Sequence, residues 1–140
     1  MSIIQVSFFI SGSSLNFVSI SNRLGIHPTE TRKKNEWPLP SIEAQIAEDV
    51  WVYRTKRMES DDLTEVFDNL QLQFMPLLEI IKELCREYCA KTYIEASIHM
   101  VSGSPPFLGL SRDNILFLAQ TGSDFGIDLY EDLDEFDWDG

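Results

Sequence analysis

The stretch DLTEVFDNLQLQFMPLLEIIKELCREYCAKTYIEASIHMV, residues 62–101, decides the fold that the sequence predicts. Its apolar residues first recur every three or four positions, which is typical of an amphipathic helix. Asp62 stands three residues before Glu65 in a capping-box arrangement, so we expect the helix to begin there. From Thr92 onward apolar and polar residues alternate, which predicts a strand. The stretch therefore predicts a long helix that leads into a strand.

Pro76 lies inside the helical series. Proline has no backbone N–H, and its ring clashes with the preceding turn. We therefore expect a kink, or two abutting helices, near Met75. The apolar rhythm keeps its phase on both sides of Pro76, so both pieces should pack on the same sheet.

The chain before residue 62 predicts two strands and a short helix. Apolar residues alternate with mostly polar ones over residues 4–10, as in a strand with one apolar face. Asn16 is a candidate N-cap of a short helix, and Gly25 can take the left-handed conformation past its end. Residues 29–41 have a loop-like, locally basic composition, and residues 49–56 predict the second strand.

The chain after residue 101 predicts a loop, a third helix and a last strand. Residues 102–109 are rich in glycine and proline, which indicates a loop. Ser111 is placed to cap a helix in which Ile115 and Leu118 face inward. Residues 125–130 then alternate as a strand.

The predicted order of elements is β-α-β-α-β-α-β. This order predicts an α+β fold with a sheet of about four strands and helices packed mainly on one face. We expect a single domain over residues 1–130, followed by an acidic tail over residues 131–140.

The charge is distributed unevenly. The 140 residues include 11 Lys and Arg and 23 Asp and Glu, which gives a net charge of -12. Residues 59–140 hold four bases and eighteen acids, whereas residues 1–58 hold seven bases and five acids. Such a field repels nucleic acid and anionic lipid, and it speeds encounter with a basic partner. We therefore expect a basic protein partner, no nucleic acid and no membrane; the alternative is that acidity only keeps the protein soluble.

The sequence also indicates a cytoplasmic protein without a metal or cofactor. The apolar residues 3–10 are too few to span a bilayer, and no Lys or Arg precedes Arg23 as in a signal peptide. Cys85 and Cys89 are the two cysteines, which argues against a disulfide framework and favours a reducing compartment. Their spacing could offer two thiolates to zinc, but with no second pair we expect them to serve packing.

A family resemblance extends over about residues 4–130. The residues that carry it occur in this order: the strand ending in Gly12, Leu24-Gly25-Ile26 with Pro28, the strand with Trp51, the long helix, Leu110-Ser111, Leu118, Gly122 and Asp128-Leu129-Tyr130. Together they resemble the small bacterial family known as domain of unknown function 4279. The resemblance implies a bacterial cytosolic α+β domain, and Arg32-Lys33-Lys34 is similar to the basic patch of that family. It implies no particular activity.

The acidic end is the strongest functional signal. Residues 124–140 hold eight carboxylates and no Lys or Arg, and Phe136 and Trp138 alternate with the acids. Aromatic anchors surrounded by charges are typical of protein interfaces. We therefore expect an acidic protein-binding module, most concretely an immunity protein that covers the basic surface of a toxin. The expected contact residues are Asp128, Tyr130, Glu131, Asp132, Asp134, Glu135 and Trp138. The alternative is a tail that folds back on the domain.

A second hypothesis is a small enzyme or small-ligand-binding domain that uses the sheet face without helices. We expect that face to be open and polar, with Gln5, Ser7, Glu95, Ser97, His99, Asp128 and Tyr130. Glu95 and His99, with Asp128, could carry proton transfer or bind a metal, although a solvated polar sheet face is the ordinary explanation. The common catalytic motifs are absent, so we favour a binding protein over an enzyme. A third hypothesis is an assembly component whose sheet edge pairs with itself.

Overall fold

Strand β1, Ser2–Gly12, lies at the centre of a mixed sheet. The computed structural model describes residues 1–101 and 104–131. The other elements follow in this order: α1 Phe17–Leu24, β2 Glu30–Arg32, a 3-10 turn Lys34–Glu36, α2 Leu39–Glu43, β3 Asp49–Arg54, β4 Met58–Ser60, α3 Leu63–Phe74, a 3-10 turn Met75–Leu77, α4 Leu78–Tyr88, β5 Lys91–Met100, α5 Arg112–Thr121 and β6 Asp124–Glu131.

The sheet has six strands in the described part of the chain. The order is β2-β3-β1-β5-β6, and β4 pairs with the first residues of β1 beside β3. All neighbours are antiparallel except β5 and β6, which are parallel because α5 crosses over between them. The sheet is therefore mixed, and β6 is an edge strand.

The predicted sheet of about four strands is wrong, because two three-residue strands were missed. Strand β2 lies inside the segment expected to be a loop, and all its residues are exposed, so it has no apolar alternation. It exists because it pairs with β3. Strand β4 follows β3 after an irregular step at Thr55, whose N–H donates to the Val6 carbonyl at 2.9 Å. A stretch of three residues is too short to show the hydrophobic periodicity from which β2 or β4 could have been predicted.

The core lies between the sheet and the helices. Alternate residues of β1 and β5 are fully buried on this face, as predicted: Ile4, Val6, Phe8, Ile10, Ile94, Ala96 and Ile98. The ring centroids of Phe8 and Phe74 lie 4.6 Å apart, which ties α3 to the centre of the sheet. Trp51 of β3 is also fully buried, and its indole N–H donates to Ser21 Oγ at 3.0 Å.

The helix boundaries mostly follow the predicted local signals. Asn16 caps α1 and Gly25 ends it in the left-handed conformation, with φ 68°. Pro76 separates α3 from α4 through a 3-10 turn, as expected from its missing donor. Asp62 caps α3 by accepting from the Thr64 N–H, but Glu65 accepts from Ser60 Oγ instead of closing a capping box. No described helix is long and apolar enough to cross a membrane.

The inward face of α5 differs from the prediction. Ile115 is 55% exposed, whereas Asn114 is fully buried. The Asn114 amide donates to Asp68 Oδ1 and to Gln71 Oε1, both at 2.8 Å, and these two bonds to α3 satisfy it in the interior. Asn114 therefore faces the interior, where hydrophobicity alone predicts Ile115, because its amide finds hydrogen-bond acceptors there.

Candidate functional site

The acidic edge is a cluster of side chains on β5 and β6, five of them on the sheet face without helices and one at the end of β6 on the other face. It consists of Tyr93, Glu95, Asp124, Asp128, Tyr130 and Glu131. Strand alternation brings the first five of these side chains to one face, because Tyr93 pairs with Asp124 and Ser97 pairs with Asp128 in the parallel register. Glu131, at the end of β6, alternates with Tyr130 and points to the other side of the sheet. The sequence prediction included four of the six and missed Tyr93 and Asp124. Tyr93 lies two residues before Glu95 on the same strand face, and this spacing could have indicated Tyr93.

Each tyrosine of the acidic edge donates a hydrogen bond to a carboxylate two residues along its own strand. The Tyr130 hydroxyl donates to Asp128 Oδ2 at 2.7 Å, and the Tyr93 hydroxyl donates to Glu95 Oε2 at 3.2 Å. Gly126 lies under the Tyr93 hydroxyl, and a Cβ at that position would collide with it. The glycine therefore allows Tyr93 to lie across β6.

The carboxylates change the acidity of both tyrosines. The hydrogen bond to Asp128 raises the pKa of Tyr130, and partial burial and the negative charges of Asp128 and Glu95 raise it further. Burial raises the pKa of Tyr93, with added contributions from Glu95, Asp128 and Asp124. No Lys or Arg in residues 1–101 and 104–131 forms an ion pair with Glu95, Asp124 or Asp128. The negative charge of the edge is therefore uncompensated there.

The opposite side of β6 offers apolar contact area. Ile127 is 40% exposed and Leu129 is 47% exposed, although both point to the side of the sheet that the helices cover. Phe125 alone among these alternate residues packs against the core, with its ring centroid 5.9 Å from that of Phe67. The far half of β6 thus extends beyond the helices and is accessible from both faces.

The residues of the second hypothesis are placed along one strand. Glu95 and His99 are four residues apart on β5, which separates their Cα atoms by about 13 Å. His99 pairs with Ile3 on one side and Tyr130 on the other, and it is only 3% exposed. The expected open polar face is therefore wrong at His99 and at Ser7, which is also buried. This geometry does not favour one reaction centre shared by Glu95 and His99, and the alternative function stays a prediction.

The described residues hold no group of three His, Cys, Asp or Glu side chains that could bind a metal ion. Cys85 is half-buried against the core, and burial raises the pKa of its thiol. Cys89 is exposed and ends α4 in the left-handed conformation, with φ 50°. The two cysteines thus lie in different environments.

Three of the seven predicted contact residues can be placed. Asp128, Tyr130 and Glu131 are neighbours on β6. Asp132, Asp134, Glu135 and Trp138 lie outside the described residues.

The fold and the acidic edge define a small α+β protein with a negatively charged sheet edge. The chain belongs to the family described as domain of unknown function (DUF4279), whose model matches residues 2–132. The match confirms the resemblance inferred from the order of motifs. No curated protein and no solved structure matches the chain significantly.

Proposed function

We propose that this chain is a protein-binding module whose acidic edge binds a basic protein. In its most concrete form it is an immunity protein that neutralises a toxin by covering a cationic surface. The observation that supports this proposal is the charge of Asp124 and Asp128 on the edge strand and of Glu95 on its neighbour β5; no described Lys or Arg forms an ion pair with these three carboxylates. Such charges steer a cationic partner toward the edge and select its orientation.

Strand β6 offers a partner two kinds of contact. Within residues 1–101 and 104–131 it pairs only with β5, so one row of its backbone N–H and C=O groups faces outward. An extended segment of a partner can add to such an edge by main-chain hydrogen bonds. Ile127 and Leu129 then supply apolar contacts on one side of the added strand, and Asp128 and Tyr130 supply polar contacts on the other.

The acidic side chains also determine which strands are rejected. Charged residues on an edge strand disfavour pairing with another copy of the same strand. Pairing of two copies of β6 would bring the carboxylates of Asp124, Asp128 and Glu131 close to the carboxylates of the other copy. A segment rich in Lys and Arg would find the same carboxylates attractive, so the edge is selective for a basic partner.

The first experiment is an affinity capture from the native host, followed by calorimetry with the purified basic partner. Asp128→Asn together with Glu131→Gln removes two charges from the acidic edge. We expect this variant to bind the partner at least about tenfold more weakly, which corresponds to about 1.4 kcal/mol, and to show a smaller salt dependence.

The matched control removes two exposed charges elsewhere, with Glu43→Gln on α2 and Glu79→Gln on α4. Equal weakening by both double variants would mean that only net charge matters and would overturn the edge as the binding site. Truncation after Tyr130 tests the predicted tail: unchanged affinity would exclude Asp132, Asp134, Glu135 and Trp138 from the contact.

A further inference from the structure

A second surface on the helix-free sheet face has the opposite charge. A cleft of about 290 Å³ lies over β3 and the end of β1, with an apolar floor of Phe9, Val50 and Val52. Trp37, Arg32 and Arg54 form its walls. It adjoins a second cleft of about 600 Å³ that shares Arg54 and adds Lys56 and Arg57. We refer to the two joined clefts as the cationic cleft.

Four cations and one carboxylate line the cationic cleft. The cations are Arg32, Arg54, Lys56 and Arg57, and the carboxylate is Glu30. Glu30 Oε2 lies 3.7 Å from Arg54 Nη2, so it partly neutralises one cation. Arg32 and Lys56 form no ion pair among the described residues, so the cleft keeps an excess of positive charge. This excess occurs in a protein with a net charge of -12. The cleft is therefore a local reversal of the overall field, and it attracts anions that the rest of the surface repels.

The cations of the cleft are arranged beside aromatic rings. The Arg32 guanidinium carbon lies 5.6 Å from the centroid of the Trp37 ring, and that of Arg54 lies 5.9 Å from the centroid of Phe9. Both contacts are within cation–π range, so the rings hold the guanidinium groups in place. The cleft thus presents flat apolar surface directly beside fixed positive charge.

Trp37 contributes its ring to the cleft, whereas its polar N–H is buried. Its indole Nε1 is buried and finds no hydrogen-bond acceptor among residues 1–101 and 104–131. A buried donor without an acceptor costs about 1–3 kcal/mol. Because this nitrogen has almost no exposed area, a molecule in the cleft contacts the apolar ring of Trp37 and not its N–H.

We propose that the cationic cleft binds a small molecule that joins a planar apolar ring system to one anionic group, such as a carboxylate, sulfonate or phosphate. The ring packs on Val50 and Val52 beside Trp37, and the anion lies between Arg32 and Arg54. Arginine is suited to this role because its planar fork binds oxyanions bidentately. The volume of the cleft beside Trp37, about 290 Å³, is at the lower limit of small-molecule sites.

The layout of the face favours a compact anion over a long one. Strand β3 is three strand positions from β6, a distance of about 14 Å. A polyanion that lay across the sheet would leave the cationic cleft and meet the carboxylates of the acidic edge. Binding of a single anionic group avoids this repulsion.

The probe for the test is 8-anilinonaphthalene-1-sulfonate, an aromatic sulfonate whose fluorescence rises on binding. Its neutral relative N-phenyl-1-naphthylamine serves as the matched ligand without charge. We expect one sulfonate per chain, bound at least tenfold more tightly than the neutral compound. Arg32→Gln and Arg54→Gln should each weaken sulfonate binding about tenfold, and Trp37→Ala, which removes the ring beside the bound probe, about threefold.

Arg23→Gln is the control, because it removes the same charge from α1, where Arg23 contacts Glu83 and Glu87 instead of the cleft. Equal loss with Arg23→Gln, equal affinity for the neutral compound, or more than one sulfonate per chain would overturn the proposal. Displacement of the probe by hexaglutamate at lower concentration than by a naphthalene carboxylate would also overturn it in favour of an acidic peptide.

Two variants keep this test independent of folding and of the proposed function. Arg32 forms no ion pair among the described residues, so Arg32→Gln tests the cleft even if Arg54→Gln disturbs Glu30 and fails to fold. Asp128→Asn with Glu131→Gln should bind the sulfonate as tightly as the unaltered chain. Loss of probe binding in that variant would contradict a separate site.

Discussion

The acidic edge and the cationic cleft are neighbours on the same sheet face, where the ring centroids of Tyr93 and Phe9 lie 5.5 Å apart, and they differ in how they are built. The acidic edge consists of side chains on two regular strands, and its shape follows from the strand register. The cationic cleft is concave because β2 and the segment around Trp37 rise beside β3. The comparison indicates that the net charge of -12 does not describe the surface: local charge of either sign is arranged for different partners.

The two regions also differ in what supports them. The acidic edge rests on β5, which pairs along its whole length with β1. The segment beside the cleft has few backbone partners and depends on Asp49, whose carboxylate accepts from the Lys34 N–H at 2.8 Å and from the Leu15 N–H at 3.0 Å. The segment beside the cleft is thus held by one buried side chain, whereas the acidic edge is held by a ladder of backbone hydrogen bonds. This difference can be tested.

The largest effect is expected from Asp49→Ala. Asp49 is only 7% exposed, and its loss would leave two backbone donors without their acceptor. We expect the free energy of unfolding, measured by urea denaturation, to fall by about 2–4 kcal/mol. Sulfonate binding at the cleft should weaken as well, whereas the pKa of Tyr130 should not change.

The control for Asp49→Ala is Glu79→Ala, which removes an exposed carboxylate that contacts Lys82 at 3.6 Å. Its effect on unfolding should stay below about 0.5 kcal/mol. If Asp49→Ala cost no more than this control, the segment beside the cleft would not depend on Asp49.

A smaller effect is expected at the acidic edge from Gly126→Ala. The new Cβ would collide with the Tyr93 hydroxyl and displace it from Glu95. Overpacking of this kind costs about 1–3 kcal/mol, and we expect the lower end because the Tyr93 side chain can move. The pKa of Tyr93 should fall as its hydroxyl leaves Glu95.

Tyr93→Phe in the same chain provides the matched background for Gly126→Ala, because it removes the atom that the new Cβ would strike. In that background Gly126→Ala should cost less than in the unaltered chain. An equal cost in both backgrounds would show that the collision with the hydroxyl is not the cause.

The smallest effect is expected from Asp128→Asn. This change removes a charge and a strong hydrogen-bond acceptor that raise the pKa of Tyr130, so that pKa should fall toward its ordinary value of about 10. Because the pKa of Tyr130 is raised on folding, its contribution to stability is complete below about pH 10 and is lost as the pH rises through the folded value. Asp128→Asn should therefore lose less stability above about pH 10 than the unaltered chain.

Tyrosinate absorbance during an alkaline titration measures this shift, and subtraction of the titration of Tyr130→Phe isolates Tyr130 from the other three tyrosines. Asp113→Asn, on α5, is the control with the same change of charge. An unchanged Tyr130 titration in Asp128→Asn would mean that the 2.7 Å hydrogen bond does not persist in solution.

The sequence by itself determined the features whose causes lie within a few residues. Apolar alternation identified the strands around Phe8, Ile94 and Ile127, and the strand around Trp51 was predicted with both faces apolar. The three-four rhythm identified α3 and α4 with their break at Pro76. The caps at Asn16, Ser111, Gly25 and Gly122 were predictable for the same reason. Each depends on a hydrogen bond or a backbone conformation inside a single turn.

Only the tertiary structure decided the features that depend on residues distant in sequence. Strands β2 and β4 exist because β3 and β1 offer partners about 20 and 55 residues away, and neither has a pattern of its own. Asn114 is buried because α3 supplies two acceptors, and His99 is buried between neighbouring strands. The cationic cleft formed in the same way, because a segment with no pattern beyond its basic residues was placed beside β3 by long-range pairing, and hydrophobic periodicity carries no information about such pairing.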